Sequence, residues 1–323
     1  MSLTCRYNLT LGAHPVTSAI LNKVSQMTKQ PPHQFLTSGA VREHKDLDKL
    51  LTQVEQGAKF YILTGRGPSS SSLHLGHVIP FEVACYFQRV FKVPCVIQIS
   101  DDEKFLTRKV PFKAHVLDTI RDVLAFGFNL EQTFICVNTQ YLSAEPAFYL
   151  NTLRLGACIS LQQAKVIFNH QPDTPLGSAA YPLVQAVAAL ASTFPKILDP
   201  SLRCLVICST DQDVFFRMLR QAIYKGQIKG PPPALLYCSL LPTFEDPNYK
   251  MSSSGRFSNI LLTDQESVIK SKLDKVHPKV KDLYVDWFQN QRFILNLIRE
   301  HQHKKSILTQ EDIATGCTIR RLS

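Results

Sequence analysis

Thr64-Gly65-Arg66-Gly67-Pro68-Ser69-Ser70-Ser71-Ser72-Leu73-His74-Leu75-Gly76-His77 is the stretch on which the fold turns. It follows a short apolar run at 60–64, which reads as a buried strand. It leads into 73–91, where apolar residues recur at helical spacing. A strand that passes through glycines into a helix gathers unpaired N–H donors and the positive end of the helix dipole at one spot, which attracts anions. His74 and His77 are three residues apart and share one face of the first turn. Two imidazoles there can donate to phosphate oxygens. The same pair could bind a metal or merely cap the helix, though no further ligands stand at zinc-site spacing.

Outward from this stretch, strands and helices take turns. Residues 95–99, 134–137, 202–208 and 235–238 read as strands, and 113–126, 146–168, 183–194 and 213–224 as helices. Such alternation predicts an α/β fold, a doubly wound parallel sheet with helices on both faces and ligands at the carboxyl ends of its strands. Residues 1–56 read as an N-terminal extension in which the charged run 42–49 forms an exposed helix. From Asp264 onward only helices are expected, with 268–276 and 284–298 the clearest.

The bulk numbers are those of a globular chain. Of 323 residues, 45 % are apolar and 19 % charged, which excludes a disordered or membrane-embedded class. The longest purely apolar run, 186–191, is far short of the roughly 20 residues that span a bilayer. Met1-Ser2-Leu3-Thr4-Cys5-Arg6 has no signal-peptide pattern, so a cytoplasmic protein is expected. Nine scattered cysteines without a Cys-x-x-Cys pair suggest free thiols in a reducing compartment. Net charge is +10, and residues 250–323 hold 13 basic against 8 acidic side chains. That excess suits either a polyanion partner or a solvated helical surface.

His74-Leu75-Gly76-His77 after a first strand resembles the first signature of class I aminoacyl-tRNA synthetases. Lys250-Met251-Ser252-Ser253-Ser254 resembles their second, the Lys-Met-Ser-Lys-Ser loop that closes over ATP. Ser253 stands where that pattern has its second lysine, as in the eukaryotic tryptophan enzymes, and Arg66 or Lys104 could supply the charge. Three further segments are similar to the tryptophanyl-tRNA synthetases of eukaryotic and archaeal type. They are Val96-Ile97-Gln98-Ile99-Ser100-Asp101-Asp102-Glu103-Lys104, Ala180-Tyr181-Pro182-Leu183-Val184-Gln185 and the Ser209-Thr210-Asp211-Gln212-Asp213 region. The similarity runs over about residues 59–262. Tyrosine enzymes share this fold, other nucleotidylyltransferases share His-x-Gly-His, and a non-catalytic RNA-binding relative would keep the architecture.

The resemblance implies a Rossmann-like doubly wound parallel sheet as catalytic domain over 57–262, and a C-terminal α-helical region of the anticodon-binding type over 263–323. It implies that L-tryptophan is activated with ATP and Mg2+ and loaded onto its tRNA by a cytoplasmic homodimer. Catalysis would rest on His74, His77 and Lys250. ATP would lie on Arg66, Gly67, His74, Gly76, His77, Lys104, Asp211, Lys250, Met251 and Ser252. Tryptophan would lie against Leu63, Gln98, Glu103, Gln185 and Gln212. Leu63 departs from the family, which commonly has a tyrosine there whose hydroxyl meets the indole nitrogen. Tyr61 lies two residues earlier on the same strand face, and Gln98 is left as the expected indole partner, alone or helped by a water. Only about 60 residues follow Leu262, fewer than the family's helical region would need.

Overall fold

The computed structural model describes residues 10–244, 251 and 259–322. Among them, one sheet is built from β1 (His14–Pro15), β2 (Val41–Lys45), β3 (Phe60–Arg66), β4 (Cys95–Ile99), β5 (Thr133–Val137), β6 (Arg203–Ser209) and β7 (Ala234–Cys238). Their order is β1-β2-β7-β6-β3-β4-β5. The five strands from β7 to β5 run parallel, while β2 pairs antiparallel with β7 and β1 with β2. The chain starts the parallel part at β3, winds outward through β4 and β5, and returns to β6 and β7 on the other side. The crevice between β3 and β6 is therefore the switch point where such sheets bind ligands.

Helices α1 (Ser18–Thr28), α2 (Gln34–Thr37) and α3 (Leu47–Glu55) precede β3, and α4 (Val78–Phe91) follows it. Helices α5 (Asp101–Arg108) and α6 (Val116–Leu124) join β4 to β5. Four more, α7 (Asn138–Ala144), α8 (Pro146–Gly156), α9 (Leu161–Phe168) and α10 (Leu176–Val187), lead to β6. Helix α11 (Asp213–Tyr224) links β6 to β7, and α12 (Glu266–Asp274), α13 (Pro278–Phe288), α14 (Gln291–Ile307) and α15 (Gln310–Cys317) end the chain.

Residues of the parallel strands alternate between two cores, as a sheet covered on both faces requires. Phe60, Ile62, Ile97, Ile207 and Leu236 face one core, and Tyr61, Leu63, Val96, Val206 and Leu235 the other. Tyr284, Trp287, Phe288, Ile294 and Ile298 from the C-terminal helices share the first core with Phe81 and Phe126. The described part of the 263–323 region thus packs directly onto the sheet layer.

Three expectations are corrected. The doubly wound α/β sheet is as expected but not wholly parallel, because the N-terminal extension contributes the antiparallel strands β1 and β2. The run 42–49 is not an exposed helix: β2 continues through Lys45 and α3 starts at Leu47. Lys45 and Asp46 are both buried. Lys45 Nζ reaches Asp213 Oδ1 at 2.5 Å, and the Asp46 carboxylate accepts from Arg203 and Arg220. Charges read as solvated are paired across more than 150 residues. Third, 284–298 is two helices, broken where Gln289 takes a left-handed φ of 62° and the Asn290 side chain caps α14. Among the described residues no helix is long and apolar enough to cross a membrane, and the described cysteines are all free.

Candidate active site

Strand β3 ends at the switch point, and its glycines set the spacing there. A Cβ on Gly65 would stand 2.4 Å from the carbonyl oxygen of Gln98, its register partner on β4. A Cβ on Gly67 would overlap the Lys104 side chain, whose Cε lies 2.1 Å from that position. The missing side chains let β4 and the start of α5 close on the turn. Between them Arg66 is buried, with Nη2 donating to Ser70 Oγ (2.8 Å) and to the Ser72 carbonyl (3.1 Å). Its Nε and Nη1 are buried without a partner among the described residues. Burial pulls the guanidinium pKa down to about 10, which leaves it charged at neutral pH. Unspent donors on a charged group suit an anion.

The two histidines sit on a single 3₁₀ turn, Leu75–His77, ahead of α4. Their ring centroids are 3.7 Å apart. The His74 backbone N–H donates to His77 Nδ1 at 3.2 Å, so in neutral His77 the proton is on Nε2. Loss of hydration, then the charges of His74 and Arg66, hold the His77 pKa well below its usual value. The turn is clamped on two sides. The Leu73 N–H donates to buried Asp122 at 3.1 Å. Leu75 N–H donates to the Ile260 carbonyl, and Leu262 N–H to that of Leu73, both at 2.8 Å.

On β4 a chain of amides fixes one side chain. A carboxylate only accepts, so Asn138 Nδ2 donates to Asp102 Oδ1 (2.8 Å). Asn138 Oδ1 must then accept from Gln98 Nε2 (3.0 Å). Gln98 is left with its carbonyl oxygen as the group still to be used. Burial raises the Asp102 pKa to about 6. Tyr61 does not substitute for the missing family tyrosine, because its hydroxyl donates to the Ala188 carbonyl at 3.1 Å inside the second core.

The opposite wall comes from α10 and the 3₁₀ turn Thr210–Gln212. Gln185 Nε2 donates to Gln212 Oε1 at 2.5 Å. Asp211 accepts from Ser209 Oγ at 2.6 Å. The next residue, Asp213, anchors the turn by accepting from Lys45 and from the Tyr237 hydroxyl, each at 2.5 Å. Glu103 meets Lys104 Nζ at 2.6 Å and accepts from Thr107 Oγ1 at 3.0 Å.

These residues line one cavity of about 500 Å³. Leu63, Arg66, Gly67, His74, Gly76, His77, Gln98, Glu103, Lys104, Gln185, Asp211, Gln212 and Met251 all contribute to its wall. Lys250 and Ser252 lie outside the described residues. Tyr181, Phe168, Phe215, Thr107 and Arg108 also line it and were missed. Helical spacing could have found several: Tyr181 is four residues before Gln185, Thr107 four after Glu103 and Arg108 four after Lys104.

A glycine turn, paired histidines and facing amides at a switch point make an α/β sheet site suited to a nucleotide and a second, polar ligand. Residues 55–322 match the family model described as tRNA synthetases class I (W and Y). The chain is 36 % identical over 269 residues to the cytoplasmic tryptophan–tRNA ligase of Mus musculus, covering 82 % of this chain and 56 % of the relative. It is 37 % identical over 270 residues to that of Schizosaccharomyces pombe, covering 82 % and 67 %. The crystal structure of a tryptophanyl-tRNA synthetase from Encephalitozoon cuniculi bound to tryptophan superposes with a TM-score of 0.86, at 28 % identity over 95 % of this chain and 95 % of that one. The chain belongs to the tryptophanyl-tRNA synthetase family of class I synthetases. It spans about half the length of the mouse relative.

Proposed function

We propose that the chain is a tryptophan–tRNA ligase. It activates L-tryptophan with ATP to tryptophanyl-adenylate and pyrophosphate, then passes tryptophan to the 3′-terminal ribose of its tRNA. The supporting observation is the cavity at the ends of β3 and β6, whose wall holds every described residue expected of such a site. His74, His77, Arg66 and Lys104, with Lys250, stabilise the triphosphate as charge moves onto pyrophosphate. Gly67, Gly76, Asp211, Met251 and Ser252 seat the nucleotide. The Gln98 carbonyl accepts the indole N–H against Leu63. Glu103, Gln185 and Gln212 hold the ammonium and carboxylate. Mg2+, which is commonly held by substrate phosphates and one or two protein ligands, would enter with ATP and neutralise phosphate charge. Among the described residues no cluster of three His, Cys, Asp or Glu side chains would hold it alone.

Residues 57–262 form the catalytic part, and the basic helices of 263–323 face the tRNA. Tyr149, Leu150 and Leu153 on α8, Leu161 and Val166 on α9, and Leu176 on α10 are exposed and apolar, which supports a homodimer through this face. Free thiols and the names of the relatives support a cytoplasmic setting. ATP–pyrophosphate exchange with each of the twenty amino acids tests the reading. Exchange with tryptophan alone is expected; exchange with tyrosine would reassign the substrate, and none at all would remove the activity.

A further inference from the structure

Beyond the cavity wall, α5 continues into a turn that leaves two aromatic rings in solvent. Phe105 and Phe112 are 38 % and 47 % exposed. They stack on one another with centroids 4.1 Å apart and planes inclined by 22°. The turn is built rather than loose: Lys109 N–H donates to the Phe105 carbonyl, Val110 N–H to that of Lys104 and Ala114 N–H to that of Pro111. Residues 104–117 contain Lys104, Arg108, Lys109 and Lys113 and no acidic residue. Arg108, Lys109 and Lys113 are exposed, with no acidic partner among the described residues. Arg108 and Thr107 belong to the cavity wall, so the patch begins at the cavity lip.

We infer that this aromatic and basic turn is a docking surface for the single-stranded 3′ end of the RNA substrate. The inference rests on the proposed function. Exposed rings with a ladder of cations are what unpaired nucleotides recognise, bases stacking on the rings and phosphates meeting the lysines. A terminal ribose that reacts inside the cavity requires the preceding nucleotides to cross its lip, where this patch lies. A second copy fits less well, because a two-fold contact would set the basic stretch against itself.

The test uses the full chain and a transcript of the tryptophan-accepting tRNA. Phe112→Leu keeps an apolar side chain but loses the ring, and Phe112→Trp keeps a ring. Tryptophan-dependent pyrophosphate exchange is expected within about twofold of the parent for both, since Phe112 lies outside the cavity wall. Aminoacylation kcat/KM for tRNA is expected to fall on the order of tenfold in Phe112→Leu and to persist in Phe112→Trp. The double substitution Lys109→Ala, Lys113→Ala should weaken transcript binding, measured by fluorescence anisotropy. It should also flatten the log–log salt dependence by roughly 0.7 per lost phosphate contact. Unchanged aminoacylation in Phe112→Leu together with unchanged binding in the double lysine variant would overturn the inference. So would a shift from dimer to monomer in sedimentation, which would assign the patch to a copy–copy interface. Absence of exchange in the parent protein would instead overturn the proposed function, while the anisotropy measurement would still decide the RNA surface.

Discussion

Gln98 shows how one side chain acquires a direction. Its amide is held by a buried neighbour that is itself held by a carboxylate, so only the order Asp102–Asn138–Gln98 satisfies every donor and acceptor. Asn138 has no exposed surface and is not part of the cavity wall, so it bears on the cavity through Gln98. Asn138→Ala should orphan a buried Gln98 N–H and free the amide to turn, at about 1–3 kcal/mol. We expect the KM for tryptophan in pyrophosphate exchange to rise roughly tenfold, as 1.4 kcal/mol corresponds to, while the KM for ATP stays unchanged. An equal rise in both would mean general loosening of β4 instead. With Leu63 in the wall and Tyr61 bonded to Ala188, the proposed function leaves indole orientation to the Gln98 amide, and on that reading Asn138 should matter correspondingly.

At the scale of elements, α14 reaches the glycine–histidine turn through α6. Lys305 Nζ on α14 lies 2.5 Å from Asp122 Oδ1, whose other oxygen accepts the Leu73 N–H. Gln302 Nε2 donates to the Leu262 and Asp264 carbonyls, on the segment that pairs with Leu73 and Leu75. Asp122→Ala leaves Lys305 free to turn to water but strands the Leu73 N–H, so about 1–3 kcal/mol of stability should be lost. The KM for ATP should rise several-fold, with that for tryptophan unchanged, in steady-state exchange. None of this bridging was legible in the sequence, because Asp122, Lys305 and Leu73 carry no local signal and meet only by folding. The turn after β3 was legible for the opposite reason: its glycines, serines and histidines act on a backbone they themselves bend. The site's polar lining was legible through resemblance, segment by segment. The antiparallel edge was not, since Lys45 and Asp46 look solvated until Asp213, Arg203 and Arg220 are brought to them.

At the scale of the molecule, several buried imidazoles are committed to their neutral form. His33, His44 and His77 each use Nδ1 to accept a backbone N–H, from Phe35, Leu47 and His74, all at 3.2 Å. His301 Nε2 lies 2.8 Å from the Asp122 carbonyl and must donate, while its buried Nδ1 has no partner among the described residues. Burial is the leading cause that lowers all four pKa values from 6.5, that of His33 to about 4. An unfolded chain therefore binds more protons at these positions below pH 6.5 than the folded one, and stability rises as pH climbs toward 6.5. Two carboxyl groups act in the opposite sense. Burial raises Glu82 to about 7 and Asp102 to about 6, so the folded state holds their protons longer and loses that contribution as pH rises through those values. The two sets oppose one another over the shared window. Between pH 5 and 7 the urea unfolding midpoint therefore carries the histidine gain less the carboxyl loss, and Glu82, at about 7, opposes longest. Glu82 faces His33 at 3.8 Å in a cavity it shares with Arg89, Glu300 and Lys304. Glu82→Gln removes that opposing titration, and its midpoint should climb more steeply above pH 6 than the parent's. A curve of unchanged slope would mean that the Glu82 carboxyl titrates alike in the folded and unfolded chain.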